Sequence, residues 1–310
     1  MRRALAAAAA IGALAVVAFF VAVPIVIDRN LSAEAVAARG SALLGSPVTV
    51  GSVGVAFVPA LRIRAEDVAA EGVGSAEAVE VEIAILPLLW RRVEVVELHL
   101  RRPRLLLVRG PDGAFRLRLL HAPGRAGGPG GPADLPELEA RDGELVAVEA
   151  DGAPTGAPVL HVERLELGRT LLGRHAALRL DVSLDPGDDG RFGVGRLALR
   201  GAFERTAEGV ALREARAEGR DLRVRGLRFP SFEGRFDYEA GRARISELSL
   251  AGYDGSVSLA GTLRSGQPAR FAGHFEARGL SVAAMVEDWR GRPLDHGPGV
   301  LDAAGDVDLR

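Results

Sequence analysis

From Val48 to the last residue, apolar side chains recur at every second position in short runs broken by glycine, proline and polar residues. A period of two puts them on one face of an extended chain and the intervening polar residues on the other. Most of the length is thereby committed to β-strands with one wet side. Little sequence of helical period is left to cover the apolar side. Val48 and Val50 begin the pattern, then Val53, Val55 and Phe57, then Leu61 and Ile63 beyond a Val58-Pro59-Ala60 break. Val79, Val81, Ile83 and Ile85 share one face of a predicted strand whose other face carries Glu80, Glu82 and Ala84. Val93 and Val95 give way to Leu98 and Leu100, a phase slip at Val96 that a β-bulge explains. Leu105 to Val108 is a continuous apolar run, and Pro111-Asp112-Gly113 turns the chain into Phe115 and Leu117. The alternation resumes at Leu145 to Val148, Leu160 to Leu167 and Leu178 to Leu184.

Ahead of the strands stands a different signal. Between Arg3 and Asp28 no residue is charged, and as a helix the run Ala4–Ile27 would be about 36 Å long, enough to cross a bilayer. A cleaved signal peptide is the competing reading, because Arg2 and Arg3 form a basic start; yet its apolar part should span only ~7–15 residues. Here the run continues through Phe19, Phe20 and Val21 to Val26, which favours an uncleaved anchor. With the arginines held in the cytoplasm, everything after Asp28 is exported. Pro24, one turn from the end of the span, reads as a terminator.

The expected organisation is a cytoplasmic tip (1–3), an anchor (4–27), a first β region (28–119), a linker (120–134) and a second β region (135–310). A helix from Leu31 to Leu44 opens the first β region, with Ser32 as its N-cap and Gly45-Ser46-Pro47 as its stop. The linker is marked by Ala122 to Pro132, with five Gly and three Pro. In the second region the frame Gly-x-apolar-x-apolar-x-Gly-x-apolar occurs at Gly195 to Phe203 and again at Gly255 to Leu263. It restarts at Gly305 and stops at Arg310, so the chain is expected to end inside a repeat. Val282, Met285, Val286 and Trp289, behind Ser281, have the spacing of a short amphipathic helix expected to pack on the sheet as core.

Composition removes several mechanisms. All 39 basic residues are arginine and there is no cysteine. Walker-type phosphate loops, Schiff bases, thiolate nucleophiles and cysteine metal sites are therefore excluded. A net charge of −2 on 310 residues, with 5% aromatics, argues against a nucleic-acid partner. The histidines His99, His121, His161, His175, His274 and His296 lack metal-ligand spacing, so neither a metal nor a cofactor is expected. Gly193-Val-Gly195 continues as a strand and is no dinucleotide loop. Asp188 and Asp189, beside Gly187 and Gly190, suggest calcium, but the regular ligand ladder is missing and a polar hairpin turn after Pro186 explains them at least as well; Asp302, Asp306 and Asp308 read as alternate residues of one strand. No serine stands in a Gly-x-Ser-x-Gly context, and no enzyme is expected.

Several short motifs occur in a telling order behind the anchor: Leu44-Gly45-Ser46-Pro47-Val48, Leu86-Pro87-Leu88-Leu89-Trp90-Arg91-Arg92, Arg102-Pro103-Arg104-Leu105 and Asp112-Gly113-Ala114-Phe115. Together they resemble the amino-terminal part of AsmA-family proteins, and the Gly-framed strands resemble that family's repetitive β region. The closing element departs from the family pattern, with Arg116 and Leu117 where Asn is usual.

The resemblance implies a mostly β fold: one N-terminal transmembrane helix, then a long curved antiparallel sheet, a β-taco or groove, with one or two short helices. Roughly 18 strands at ~4.8 Å spacing would make a trough of about 85 Å. It further implies an inner-membrane protein with a periplasmic body that binds phospholipid and contributes to its transport between inner and outer membranes and to envelope integrity. The expected groove residues are Val55, Phe57, Val79, Val81, Ile83, Ile85, Val257 and Leu259. Arginine is dense from Arg91 to Arg118; Arg91, Arg92, Arg101, Arg102 and Arg104 would meet anionic headgroups or else form a solvated face. The rival is an envelope assembly factor or scaffold whose sheet closes into a filled sandwich and recruits proteins at its edges. A hydrolytic domain on a β scaffold would need a convergent site that the sequence does not display.

Overall fold

The computed structural model describes residues 32–56, 60–88, 90, 94–109, 115–117, 135–149, 152–153, 155, 159–171, 173–185, 192–206, 209–264, 270–290 and 299–309. The expected anchor Ala4–Ile27, Leu31, Phe57, Arg91, Arg92, the 120–134 linker and the Asp188-Asp189 turn lie outside them. Among the described residues no helix is long and apolar enough to cross a membrane. The fold is mostly β, with few and short helices. It divides into two compact units, one running to Arg101 and the other starting at Arg102.

In the first unit, helix α1 (Ala33–Leu44) is capped as its sequence requires. The Ser32 hydroxyl accepts a hydrogen bond from the Ala35 N–H at 3.2 Å, and Gly45, at φ 65°, ends the helix. Ser41 ties helix to sheet: its hydroxyl donates to the Ala37 carbonyl and accepts from the Val48 N–H, each at 2.8 Å. Strands β1 (Val48–Thr49) and β2 (Ser52–Ala56) pair with the two ends of β3 (Leu61–Ala70), followed by β4 (Gly74–Ile83) and β5 (Val95–Arg101), all antiparallel. Glu82 lies opposite Glu97 and Ile83 opposite Val95, so Val96 is the extra residue of the expected bulge.

One expected strand position changes. The chain leaves β4 after Ile83, and Ile85 begins a four-residue helical turn, α2 (Ile85–Leu88). Pro87 is the cause: it has no N–H for a ladder, and its fixed φ suits a first helical turn. Ile85 therefore does not share the strand face of Val79, Val81 and Ile83.

In the second unit β6 (Arg104–Arg109) is flanked by antiparallel β7 (Phe115–Leu117) and parallel β8 (Glu137–Val148). The sheet is thus mixed at this point, whereas the family resemblance implied an antiparallel one. A long connection, 110–136, separates β6 from β8, as parallel neighbours require. From β8 onward each strand pairs antiparallel with the next: β9 (Leu160–Leu167), β10 (His175–Leu184), β11 (Phe192–Thr206), β12 (Gly209–Val224), β13 (Leu227–Glu239), β14 (Arg242–Gly252), β15 (Gly255–Arg264), β16 (Arg270–Ser281) and β17 (Val300–Leu309). Helix α3 (Val282–Arg290) lies between the last two. Three hairpins close with two-residue turns in which both residues have positive φ: Arg225-Gly226, Ala240-Gly241 and Tyr253-Asp254. Their twist matches that of the flanking strands and sets the register. All three Gly-framed repeats fall within strands, β11, β15 and β17.

Gly261 and Gly273 oppose each other across β15 and β16, and a Cβ on Gly273 would strike the Ala260 carbonyl oxygen. The substitution Gly273→Ala is expected to cost about 1–3 kcal/mol, the range for forcing volume into a close contact. The measurement is the urea midpoint. Gly54→Ala in β2, where a Cβ meets open space, should leave the midpoint unchanged or raise it.

Candidate functional site

Register decides which side chains meet. In the second unit Leu165, Leu180 and Leu199 are directly opposed on β9, β10 and β11, and the row continues through Ala217, Gly234, Leu248, Leu259 and Phe275. Ala140 on β8 and Gly305 on β17 end it. Beside it runs a second row through Val162, Val182, Leu197, Gly219, Phe232, Leu250, Val257, Ala277 and Ala303. No polar side chain interrupts either row from β8 to β17. A third, shorter row, Leu145, Leu160, Leu184, Val194, Leu222 and Phe229, lies alongside.

The first unit has the same construction on a smaller scale. Val55, Ile63, Val81 and Leu98 form one row across β2 to β5, and Val53, Ala65, Val79 and Leu100 the next. Of the expected groove residues, Val55, Val79, Val81 and Ile83 are thus brought onto one face, and Val257 and Leu259 onto adjacent rows of the second unit. Ile85 stands apart on α2. Arg101 ends β5, exposed. Arg102, at φ 45°, donates its N–H to the Arg141 carbonyl, and the Arg104 guanidinium lies 3.8 Å from the Glu144 carboxylate.

Burial tells the two faces apart. Residues of the apolar rows are buried or half-buried, whereas Arg200, Arg216, Glu218, Glu233, Arg235, Ser258 and His274 on the other face are exposed. Val162, Val182, Val194, Phe229 and Leu250 are buried, yet Leu165, Leu180, Leu199, Leu248, Leu259 and Phe275 stay half-buried. A packed second sheet would bury leucines and phenylalanines completely. These rows instead form a broad, partly open apolar surface that can accept flexible hydrocarbon and offers it few polar contacts.

The outward face is salt-bridged in places: Arg62 with Glu82 at 3.0 Å in the first unit, Arg213 with Glu239 at 2.8 Å and Arg278 with Glu276 at 2.6 Å in the second. His161 lies 3.0 Å from Asp185 and 3.7 Å from Glu144, and His274 lies 3.1 Å from Asp306. Among the described residues no group of three or more His, Asp and Glu could hold a metal ion.

Helix α3 corrects another expectation. None of its residues is buried, and Trp289 is 65% exposed. Nine residues present too little apolar face to form core, and the helix is held by a polar lock. Tyr253, in the left-handed turn, accepts from the Arg228 N–H at 2.5 Å and donates to the Asp288 carboxylate at 2.8 Å. Its ring meets Phe229 edge to face at 5.7 Å. Sequence reasoning missed Tyr253, for which the one available signal was its place in a Tyr-Asp-Gly turn.

Compared with protein-family models, with curated proteins and with solved structures, the chain matches none of them.

Burial pushes the Tyr253 hydroxyl above its ordinary value of 10.0; the Arg228 N–H opposes this and Asp288 adds to it. The folded state then holds the proton more tightly than the unfolded state. That stabilisation is complete below pH ~10 and is lost as pH rises through the raised folded value. Lysine and cysteine are absent and there are two tyrosines, so alkaline titration is simple to interpret. The fluorescence of Trp289 should shift above pH ~10 as α3 is released, and in Tyr253→Phe it should start shifted and lose that pH step.

Proposed function

We propose that this chain is a membrane-tethered, lipid-binding conduit of the AsmA-like type, held in a bacterial inner membrane by Ala4–Ile27 with its body in the periplasm. One observation carries the reading: apolar rows run unbroken across ten consecutive strands on a face where Leu165, Leu180, Leu199, Leu248, Leu259 and Phe275 are only half-buried. A contiguous apolar surface of that extent is unusual unless something binds it. The motif order of the first β region supports the same reading. The cargo is phospholipid, its acyl chains on the rows and its headgroup in water.

The mechanism follows from uniformity. Each buried CH₂ contributes about 0.8 kcal/mol, so two acyl chains bind firmly. Every strand presents apolar side chains or glycine to these rows, so displacement from one strand to the next meets no polar barrier. Headgroups that stay solvated are weakly discriminated. Val257 and Leu259 lie on this floor in the second unit, and Val55, Val79, Val81 and Ile83 on the corresponding face of the first.

Expressed in a diderm bacterium and examined by native mass spectrometry, residues 30–310 are expected to carry phospholipid. Val81→Asp and Val257→Asp should each lower the bound lipid at least fivefold, with far-UV circular dichroism unchanged. Wild-type lipid loading in both variants would refute the conduit. Lipid-free wild-type protein would favour the envelope scaffold instead.

A further inference from the structure

The outward face of the second unit carries a feature that lipid binding does not use. Arg179, Arg200, Arg216 and Arg235 stand directly opposite one another on β10, β11, β12 and β13. Like charges so opposed destabilise a sheet. Arg179 is relieved by Asp181, to which its Nε donates at 3.3 Å. Among the described residues Arg200, Arg216 and Arg235 are exposed and make no ion pair. Elsewhere the chain pairs such residues, as with Arg213 and Glu239 or Arg278 and Glu276. Nor does the file guard an exposed edge, because β11 and β12 are paired on both sides.

The geometry narrows the partner. At ~4.8 Å per strand the four guanidiniums span about 14 Å along a line across the strands. Glu218 and Glu233, opposed to each other in the next row, bound the file on one side, and Glu166 and Glu247, opposite Arg179 and Arg235, close its two ends. A flat anionic surface would meet all of these carboxylates together with the arginines, whereas a narrow chain laid along the file avoids Glu218 and Glu233 and meets carboxylates only beyond the two end arginines. Every phenylalanine and tyrosine of β10–β13 takes its register on the apolar face, and none is available to stack a nucleobase along the file. Guanidinium forks bind phosphate bidentately, and a phosphate has oxygens enough to bridge two neighbouring arginines.

We propose that the file Arg179–Arg200–Arg216–Arg235 binds the phosphate groups of a linear polyanion without bases, laid across the strands on the face opposite the apolar rows. Bound phosphates offset the repulsion that the empty file maintains.

The test uses the full chain in non-ionic detergent and fluorescently labelled inorganic polyphosphate as the probe, with binding read by anisotropy at low and high salt. Wild-type protein is expected to bind in a salt-sensitive manner. The combined Arg200→Gln, Arg216→Gln and Arg235→Gln variant should bind at least tenfold more weakly, and Arg278→Gln should match wild type. A fold readout keeps the result interpretable: without ligand Arg216→Gln should melt at or above the wild-type temperature, and polyphosphate should raise the melting temperature of wild type but not of the triple variant. Equal binding by the triple variant would overturn the proposal, as would a ligand-free Arg216→Gln that melts lower. Polyglutamate or phosphatidylglycerol vesicles that bind through the same arginines as tightly as polyphosphate would also overturn it, in favour of an acidic peptide or a membrane surface.

Discussion

Interstrand register is the constraint on which the rest of this molecule depends. Side chains alternate between faces, so a slip of one residue in any strand would carry its leucines outward and its arginines inward. The meander from β9 to β15 contains an irregularity at each successive pairing, for example between Val182 and Leu184 or between Leu212 and Ala215. Even so, the apolar rows stay in phase through all of them. Two-residue turns with both residues left-handed hold the hairpins of β12 to β15 in place, and Arg225, Ala240 and Tyr253 accept an unfavourable φ to do so.

A sheet of this kind derives its stability from cross-strand neighbours more than from a central core. The fully buried positions are mainly small ones such as Ala211 and Ala215, and the leucines shield one another along the rows. Glycines on the apolar face are covered from the side: the Phe232 ring occupies the space a side chain on Gly219 would need. The floor is thereby filled without height. Ion pairs on the wet face, exposed as they are, contribute at most about 1 kcal/mol each and keep the surface soluble more than they hold the fold.

Local chemistry was legible wherever one residue type suffices to dictate conformation. Ser32 caps α1 because its hydroxyl replaces a missing backbone partner, and the phase slip at Val96 could only be absorbed as a bulge. Features set by distant partners were not legible. Ile85 continues the alternation of β4, but Pro87 two residues later withdraws it into a helical turn. Trp289 has the spacing of a core residue, yet α3 is fastened through Tyr253 and Asp288, more than thirty positions apart. The parallel pairing of β6 with β8 depends on a long connection whose path alternation does not encode.

The same division holds for the two faces. Apolar and polar residues alternate in the sequence, so it follows from the residues alone that each strand has a dry side and a wet side and that few helices exist to cover the dry one. Which leucine meets which, and that four arginines from separate strands form a line, depends on pairing partners and offsets. Those are properties of the assembled ladder, because a residue's neighbour across a strand is chosen by turn geometry and bulges elsewhere in the chain. Val257 could be read as apolar and strand-bound from its own surroundings; its place in a row from Val162 to Ala303 exists only once every intervening strand has found its register.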